Sequence, residues 1–224
     1  DVAINDRQLN LEHARLQLGN GSVQLQGRWA FTEAQAFAAT GVVSNLDPTQ
    51  FLHLPRGLGA NGLNGTLSVV GQLQPQPQAQ VALKLTDSAS LGHGDIQLNI
   101  EPDQRLRVDA ALALRHARLS ARGTLSGADP QQSVLVTLDA PDLSELHAAV
   151  RGQLKAQARL SGAWHAPAIE ARASANDLHY HQQRVHALTT QLSYSGGTDG
   201  ALALTVEAQG HQHPAGAALS LAQA

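Results

Sequence analysis

Histidine pairs are the residues of this chain whose type and spacing come closest to a known chemistry. The 224-residue chain contains 11 histidines, and His179 and His181 stand two positions apart. On a strand such a pair lies on one face, where two imidazoles can chelate zinc. Leu178 and Tyr180 occupy the apolar phase, which leaves both histidines on the polar face, and a third ligand such as His186 is only a guess. We therefore predict solvated histidines and no metal site.

Other motifs give no catalytic reading either. The glycines of 57–62 match G-x-G-x-x-G in letters, but the strand-like run 67–70 follows them instead of the helix that a dinucleotide site requires. No nucleophile elbow, Walker loop or H-E-x-x-H occurs. The carboxylates that we considered as an acid/base pair stand singly on polar phases or in turns; they are Asp95, Glu101, Asp103 and Asp109. We predict that the protein is not an enzyme and binds no cofactor.

Composition excludes several classes of protein. The chain is 42% hydrophobic but only 3% aromatic and 15% charged, and ligand sites built on aromatic stacking are therefore disfavoured. The net charge is -3, with 15 Lys and Arg scattered singly, which argues against a nucleic-acid partner. There is no cysteine, in keeping with an oxidising compartment. No run of about 18 apolar residues suggests a membrane helix.

The elements that organise this chain are strands with one apolar face. In the segment 105–115 leucine, valine and alanine alternate with arginine, aspartate and alanine, and the same alternation recurs along most of the chain. This pattern predicts an all-β protein with a long antiparallel sheet. We expect its apolar face to be lined by Val23, Leu25, Leu67, Val69, Val81, Leu83, Leu85, Ile96, Leu98, Ile100, Leu106, Val108, Leu112, Leu114, Val134, Val136, Leu138, Leu154, Leu160, Ile169, Leu202, Leu204 and Val206.

Turn residues set the expected number of strands. Gly, Asn and Asp clusters divide the chain into about twelve to sixteen strands, which would make an elongated sheet. We place turns at 19–21, 57–62, 92–94, 123 and 195–200, and we read the Asn-Gly of 64–66 as a hairpin turn. Two capped segments, 47–55 and 142–145, predict single helical turns.

A degenerate repeat is visible along the chain. The His-Ala-Arg-Leu run at 13–16 returns at 116–119, and the capped segment at 47 has a counterpart at 142. We therefore predict two copies of one unit, at about 13–115 and 116–224, in a single continuous groove segment, 1–224, of a longer protein. Repeated units of this kind stack into open arrays.

The second copy carries a family resemblance. The run 138–167, LDAPDLSELHAAVRGQLKAQARLSGAWHAP, followed by IEARASANDLHY at 169–180, resembles the repeats of the TamB family, which belongs with the AsmA-like proteins of bacterial intermembrane lipid transport. The segment 44–75 is a weaker copy, so the resemblance covers most of the chain.

The resemblance implies a fold, a location and partners. TamB is the inner-membrane subunit of the translocation and assembly module, so the implied fold is a periplasmic sheet folded lengthwise into a trough, or β-taco, in a protein anchored to the inner membrane. Implied roles are phospholipid movement between the membranes and outer-membrane protein assembly, including that of autotransporters. The implied partner is an Omp85-type barrel of the TamA kind, contacted through segments outside this chain.

Without the resemblance, an alternating stripe would favour the core of a β-sandwich. Two observations favour an open hydrophobic groove: many inward positions are alanine, and few rings are available to fill the space between two sheets. A face of Leu, Val and Ala suits phospholipid acyl chains. The alternative is a scaffold that binds β-strands of outer-membrane protein clients by strand addition. An enzyme of β-solenoid type is a weaker third reading.

Overall fold

The computed structural model describes residues 2–47, 62–88, 92–114, 117–129, 131–145, 149–164, 166–180, 183–195, 201–210 and 218–221. The chain divides into two compact units, Asp1–Leu114 and Arg115–Ala224. The boundary lies within one residue of that between the predicted repeats, and the repeat itself stays a prediction.

Unit 1 contains eight strands in its described ranges. They are β1 (Val2–Ile4), β2 (Gln8–Leu18), β3 (Gly21–Ala30), β4 (Ala36–Leu46), β5 (Leu63–Gln72), β6 (Gln78–Ser88), β7 (Gly92–Ile100) and β8 (Leu106–Leu114). Each strand pairs antiparallel with the next along the chain, from β1 with β2 to β7 with β8. This arrangement is a simple meander.

Unit 2 contains seven strands and one 3-10 turn in its described ranges. They are β9 (Ala117–Leu125), β10 (Ser133–Ala140), the 3-10 turn (Leu143–Glu145), β11 (Val150–Ser161), β12 (Ala168–Tyr180), β13 (Gln183–Tyr194), β14 (Leu202–Gly210) and β15 (Ala218–Leu221). Pairing is again antiparallel between chain neighbours.

The predicted fold class is confirmed. The described residues form an all-β protein of antiparallel strands, and the first and last strands of each unit do not pair with each other, so the sheet is open, as a groove-type sheet is. The fifteen described strands fall within the predicted twelve to sixteen. Local polarity explains the strands: in β11 half-buried and exposed residues alternate over nearly the whole length.

Three predicted turns lie inside strands instead. Gly65 belongs to β5, Gly92 begins β7, and Gly123 stands within β9. A side chain at Gly65 would collide with the backbone of Lys84 and Leu85 on the next strand. Gly65 and Gly123 therefore serve close approach between strands and not chain reversal. By contrast, the turn at 19–21 is confirmed, with Gly19 at φ 58° between β2 and β3.

Of the two predicted helical turns, the second is confirmed as a 3-10 turn at Leu143–Glu145. Asp142 begins it as expected, because its Oδ1 accepts a hydrogen bond of 2.9 Å from the backbone N–H of Ser144. The first, 47–55, lies outside the described residues beyond Asp47, as do the glycines 57–61. The strand β5 follows Gly62, as the turn reading of 57–62 requires.

Candidate functional site

One face of unit 1 is apolar from strand to strand. The register of neighbouring strands lines its residues up in four cross-strand rows. Row 1 is Leu16, Val23, Val43, Gly65, Leu85, Gly94 and Leu112, and row 2 is Ala14, Leu25, Gly41, Leu67, Leu83, Ile96 and Ala110. Row 3 is Leu11, Gly27, Ala39, Val69, Val81, Leu98 and Val108, and row 4 is Leu9, Trp29, Phe37, Gly71, Ala79, Ile100 and Leu106. No member of these four rows is polar.

The opposite face of unit 1 is largely polar. Between rows 1 and 2 the register aligns Arg15, Gln24, Val42, Thr66, Lys84 and Asp95, and between rows 2 and 3 it aligns Gln26, Thr40, Ser68, Ala82, Gln97 and Asp109. The sheet therefore separates one continuous apolar surface from one hydrated surface.

Unit 2 repeats this division of faces. Its apolar face has the rows Gly123, Val134, Leu160, Ile169, Tyr194, Leu202; Ala121, Val136, Ala158, Ala171, Leu192, Leu204; Leu119, Leu138, Ala156, Ala173, Thr190, Val206; and Ala140, Leu154, Ala175, Leu188, Ala208. Thr190 and the phenol of Tyr194 are the polar exceptions among these residues. Alanine occupies many of the central positions of these rows, so short side chains cover the middle of this face.

The residues predicted to line the apolar face are brought together by the register. Those of 23–112 all stand in rows 1 to 4, and those of 134–206 all stand in the rows of unit 2. Leu114 ends β8, and its side chain lies outside the described part of the chain. Whether these residues touch a lipid stays a prediction.

Sequence reasoning missed the contribution of β4. Phe37, Ala39 and Val43 belong to the apolar rows, but alternate residues such as Ala38 and Val42 are apolar as well. Without polarity contrast, period-two alternation cannot be detected. The signal that would have found them is their position between β3 and β5, whose registers are unambiguous.

The apolar face of unit 1 is shielded unevenly. In row 1 Val43 and Leu85 keep only 9% and 5% of their surface exposed, but Leu16 keeps 51%, and in row 4 Trp29 keeps 42%. Phe31, beyond the end of β3, is exposed as well. Two exposed aromatic side chains, Trp29 and Phe31, therefore lie at the row 4 end of the face.

A cavity of about 810 Å³ in unit 1 spans strands β2 to β7 and is lined by 12–15, 24–26, 40–42, 66–68, 82–84 and 95–97. Each of these ranges contains one residue of row 2, and the residues directly before and after it belong to the polar face. No member of row 1 or row 3 lines the cavity. Side chains at those rows would border any hollow on the apolar face, so this cavity lies on the polar face.

Two carboxylates that we expected to stand singly are in fact brought together. In the turn between β7 and β8, Glu101 Oε2 lies 2.9 Å from Arg105 Nη2 and Asp103 Oδ2 lies 2.6 Å from Arg105 Nε. Arg107 also reaches Glu101, at 3.0 Å. The hydrogen bond from Arg105 lowers the pKa of Asp103. Both carboxylates are ion-paired with arginine, so the cluster ties together the turn between β7 and β8.

The segment 105–115 is predicted to place its leucine and valine side chains on the apolar face and its arginines in water. Leu106, Val108 and Leu112 stand in apolar rows, and Arg107 is exposed, as predicted. Arg105 precedes β8 and is partly exposed in its ion pairs, while Arg115 lies outside the described residues.

The histidines do not assemble a metal site in the described part of the chain, where no group of three or more His, Cys, Asp and Glu side chains converges. His179 stands opposite Arg151 and Arg184 in the register, and cationic neighbours disfavour a bound cation. His181 lies outside the described residues. His186 Nδ1 instead lies 3.3 Å from Asp177 Oδ1.

Asp177 is the centre of a small charged cluster on β12, at the register shift between β11 and β12. It adopts a positive φ of 48°, and its Oδ1 accepts a hydrogen bond of 3.0 Å from Arg184 Nη2. The hydrogen bonds from Arg184 and His186 lower the pKa of Asp177 below 3.8. The folded state therefore favours the ionised carboxylate.

Replacing Asp177 with asparagine is expected to lower the Tm slightly at about pH 5 and to leave it unchanged near pH 2. The folded-state pKa is below the unfolded one, so the stabilisation is present above the unfolded value and is lost as pH falls through the folded value. The effect is small because both charged partners are exposed. Thermal unfolding at both pH values checks this, with Glu207→Gln as control. A Tm difference that grows towards pH 2 would contradict it.

Fold and site together define a class of protein: an open antiparallel sheet that presents an extended apolar face and has no catalytic constellation among its described side chains. The family model described as TamB, N-terminal domain, matches residues 1–220, and the chain belongs to the TamB family. This family comprises periplasm-spanning envelope proteins with a general role in outer-membrane protein assembly and lipid transport. No curated protein and no solved structure matches the chain.

Within the described residues no helix has the length and hydropathy needed to cross a membrane.

Proposed function

We propose that the apolar face carries phospholipid acyl chains through the periplasm between the inner and outer membranes, in a protein anchored to the inner membrane. The observation that carries this proposal is the row structure of unit 1, where four successive cross-strand rows contain no polar side chain. An acyl chain on such a surface leaves water along its whole length, and each buried CH₂ contributes about 0.8 kcal/mol.

The absence of polar members in rows 1 to 4 also determines the proposed mechanism. A chain that slides from one strand to the next meets similar Leu, Val, Ile and Ala side chains at each step, so no position holds it much more tightly than another. Movement is then lateral diffusion along the sheet, and no bond is made or broken. We expect no single face residue to be indispensable for this passage.

Unit 2 supports the same mechanism with a shallower surface. Ala156, Ala158, Ala171 and Ala173 occupy adjacent positions of the apolar rows of β11 and β12. Small side chains there leave room above the sheet for hydrocarbon, whereas a tightly packed second layer would call for larger side chains. The polar head groups would stay at the open seam, in contact with water.

The edge strand β1 favours a second function. Strand β1 is only three residues long and covers only Leu9–Leu11 of β2. Val2 and Ile4 on it are exposed, so this edge offers apolar side chains and backbone groups to an added strand. The alternative function is therefore a scaffold that binds strands of outer-membrane clients such as autotransporters. An Omp85-type barrel partner of the TamA kind, reached through segments outside this chain, would serve either function.

Native mass spectrometry of the purified chain distinguishes the two functions. We expect bound species with the masses of diacyl phospholipids, displaced by added phosphatidylethanolamine and not by a synthetic amphipathic β-strand peptide. Release by the peptide alone, or a chain that takes up peptide and no lipid, would favour the scaffold and contradict the lipid proposal.

A further inference from the structure

Aromatic side chains and unpaired positive charge meet at one end of the apolar face of unit 1. Trp29 stands in row 4, opposite Leu9 of β2 and Phe37 of β4. Phe31 follows two positions later and is exposed. The inner rows 1 to 3 contain no ring, so the Trp and Phe side chains of the described part of this unit lie at or beyond row 4.

Arg7 stands beside these rings. The backbone N–H of Phe31 donates a hydrogen bond of 2.6 Å to the carbonyl of Arg7, which continues the register of Leu9 with Trp29. Arg7 belongs to the turn between β1 (Val2–Ile4) and β2 (Gln8–Leu18). It is therefore placed opposite Phe31, just beyond the end of row 4.

The backbone at Arg7 is held in place. Asn5 Oδ1 accepts hydrogen bonds of 2.9 Å from the N–H of Arg7 and 2.8 Å from that of Gln8. With the bond to Phe31, both backbone polar groups of Arg7 are engaged. The side chain of Arg7 can change conformation, whereas the backbone to which it is attached is held by these hydrogen bonds.

The guanidinium of Arg7 has no carboxylate within salt-bridge distance among the described residues, although Asp6 precedes it in the chain. Arg105 and Arg107, at the same end of β8, are neutralised by Glu101 and Asp103. Arg7 is therefore a free cation at the boundary between an apolar surface and water. This boundary is where a phospholipid changes from hydrocarbon to phosphate.

We propose that Arg7, flanked by Trp29 and Phe31, binds the phosphate of a phospholipid whose acyl chains lie on rows 1 to 4. This rests on the proposed function. From row 1 to row 4, Val23 to Trp29, six residue steps span about 20 Å at about 3.4 Å each, a length comparable to that of an extended fatty acyl chain. A guanidinium matches two phosphate oxygens at once, and rings suit the interfacial zone between acyl chain and head group.

Binding of lipids that differ only in the phosphate tests this assignment. The full-length protein is titrated with phosphatidylglycerol and with diacylglycerol of the same acyl chains, and bound lipid is counted by native mass spectrometry. We expect Arg7→Gln to weaken phosphatidylglycerol binding about tenfold and to leave diacylglycerol binding unchanged. Arg7→Lys should restore only part of the loss, because an ammonium keeps the charge but not the two-point contact. Arg28→Gln is the control, because Arg28 is exposed on the opposite face of β3 and should have little effect.

Each other outcome counts against a specific claim. If both lipids bind and Arg7→Gln changes neither, or weakens both equally, the phosphate site is wrong while the acyl groove stands. If inorganic phosphate at millimolar concentration displaces phosphatidylglycerol, the site takes free phosphate and not a lipid. If neither lipid binds the wild-type protein, the proposed function and this assignment both fail.

Discussion

Val134→Asp is expected to unfold unit 2 or to lower its free energy of unfolding by about 3 kcal/mol or more. Val134 is 3% exposed on the apolar face, between Gly123 of β9 and Leu160 of β11. A carboxylate there has neither water nor a cationic partner in its row. Urea unfolding followed by circular dichroism measures the change.

Leu135→Asp is the matched control, since Leu135 follows directly in β10 but is 43% exposed on the other face. Its neighbours in the register are Arg122 and Arg159, so a carboxylate there meets water and positive charge. We expect a change within about 0.5 kcal/mol. Equal losses from both variants would show that the two faces are not differently buried.

Leu83→Asp is expected to remove most of the lipid that the protein carries, with at least about a tenfold loss of bound phospholipid, while leaving the fold intact. Leu83 is half-buried in the middle of row 2, so the new carboxylate can reach water, but hydrocarbon cannot cover it without stripping that water. Phospholipid that co-purifies with the full-length protein is the quantity to measure.

Ala82→Asp controls for the added charge itself. Ala82 is the preceding residue of β6, is exposed and belongs to the polar face. The lipid content of this variant should match that of the wild type. Lipid loss in Ala82→Asp as large as in Leu83→Asp, or full retention in both, would contradict passage along the apolar face.

The division of faces could be predicted wherever polar and apolar residues alternate, as in β8 and β11. It was invisible in β4, where both phases are apolar and only the registers with β3 and β5 reveal the face. Glycines misled the turn assignment, because a glycine serves a reversal at Gly19 and a close strand approach at Gly65. The sequence does not distinguish these uses, since the second depends on backbone atoms of a strand about twenty residues away.

The candidate site shows the same limit. Its composition followed from periodicity, but the position of Arg7 opposite Phe31 could not be foreseen, because Arg7 lies before β2 and meets Phe31 only through the β2–β3 pairing. Likewise the cavity on the polar face is lined by residues of six strands, β2 to β7, and the alternating pattern of one strand does not show which side chains of other strands lie beside it.

Photo-crosslinking in cells that carry the full-length protein tests the central claim most directly. A photoreactive residue is placed on the apolar face at Leu83 or Leu204, and on the polar face at Lys84 or Thr205. Lipid adducts at the first two positions and none at the last two are the result that lipid passage along the apolar face predicts. Equal labelling of both faces, or adducts with protein clients and none with lipid, would contradict it.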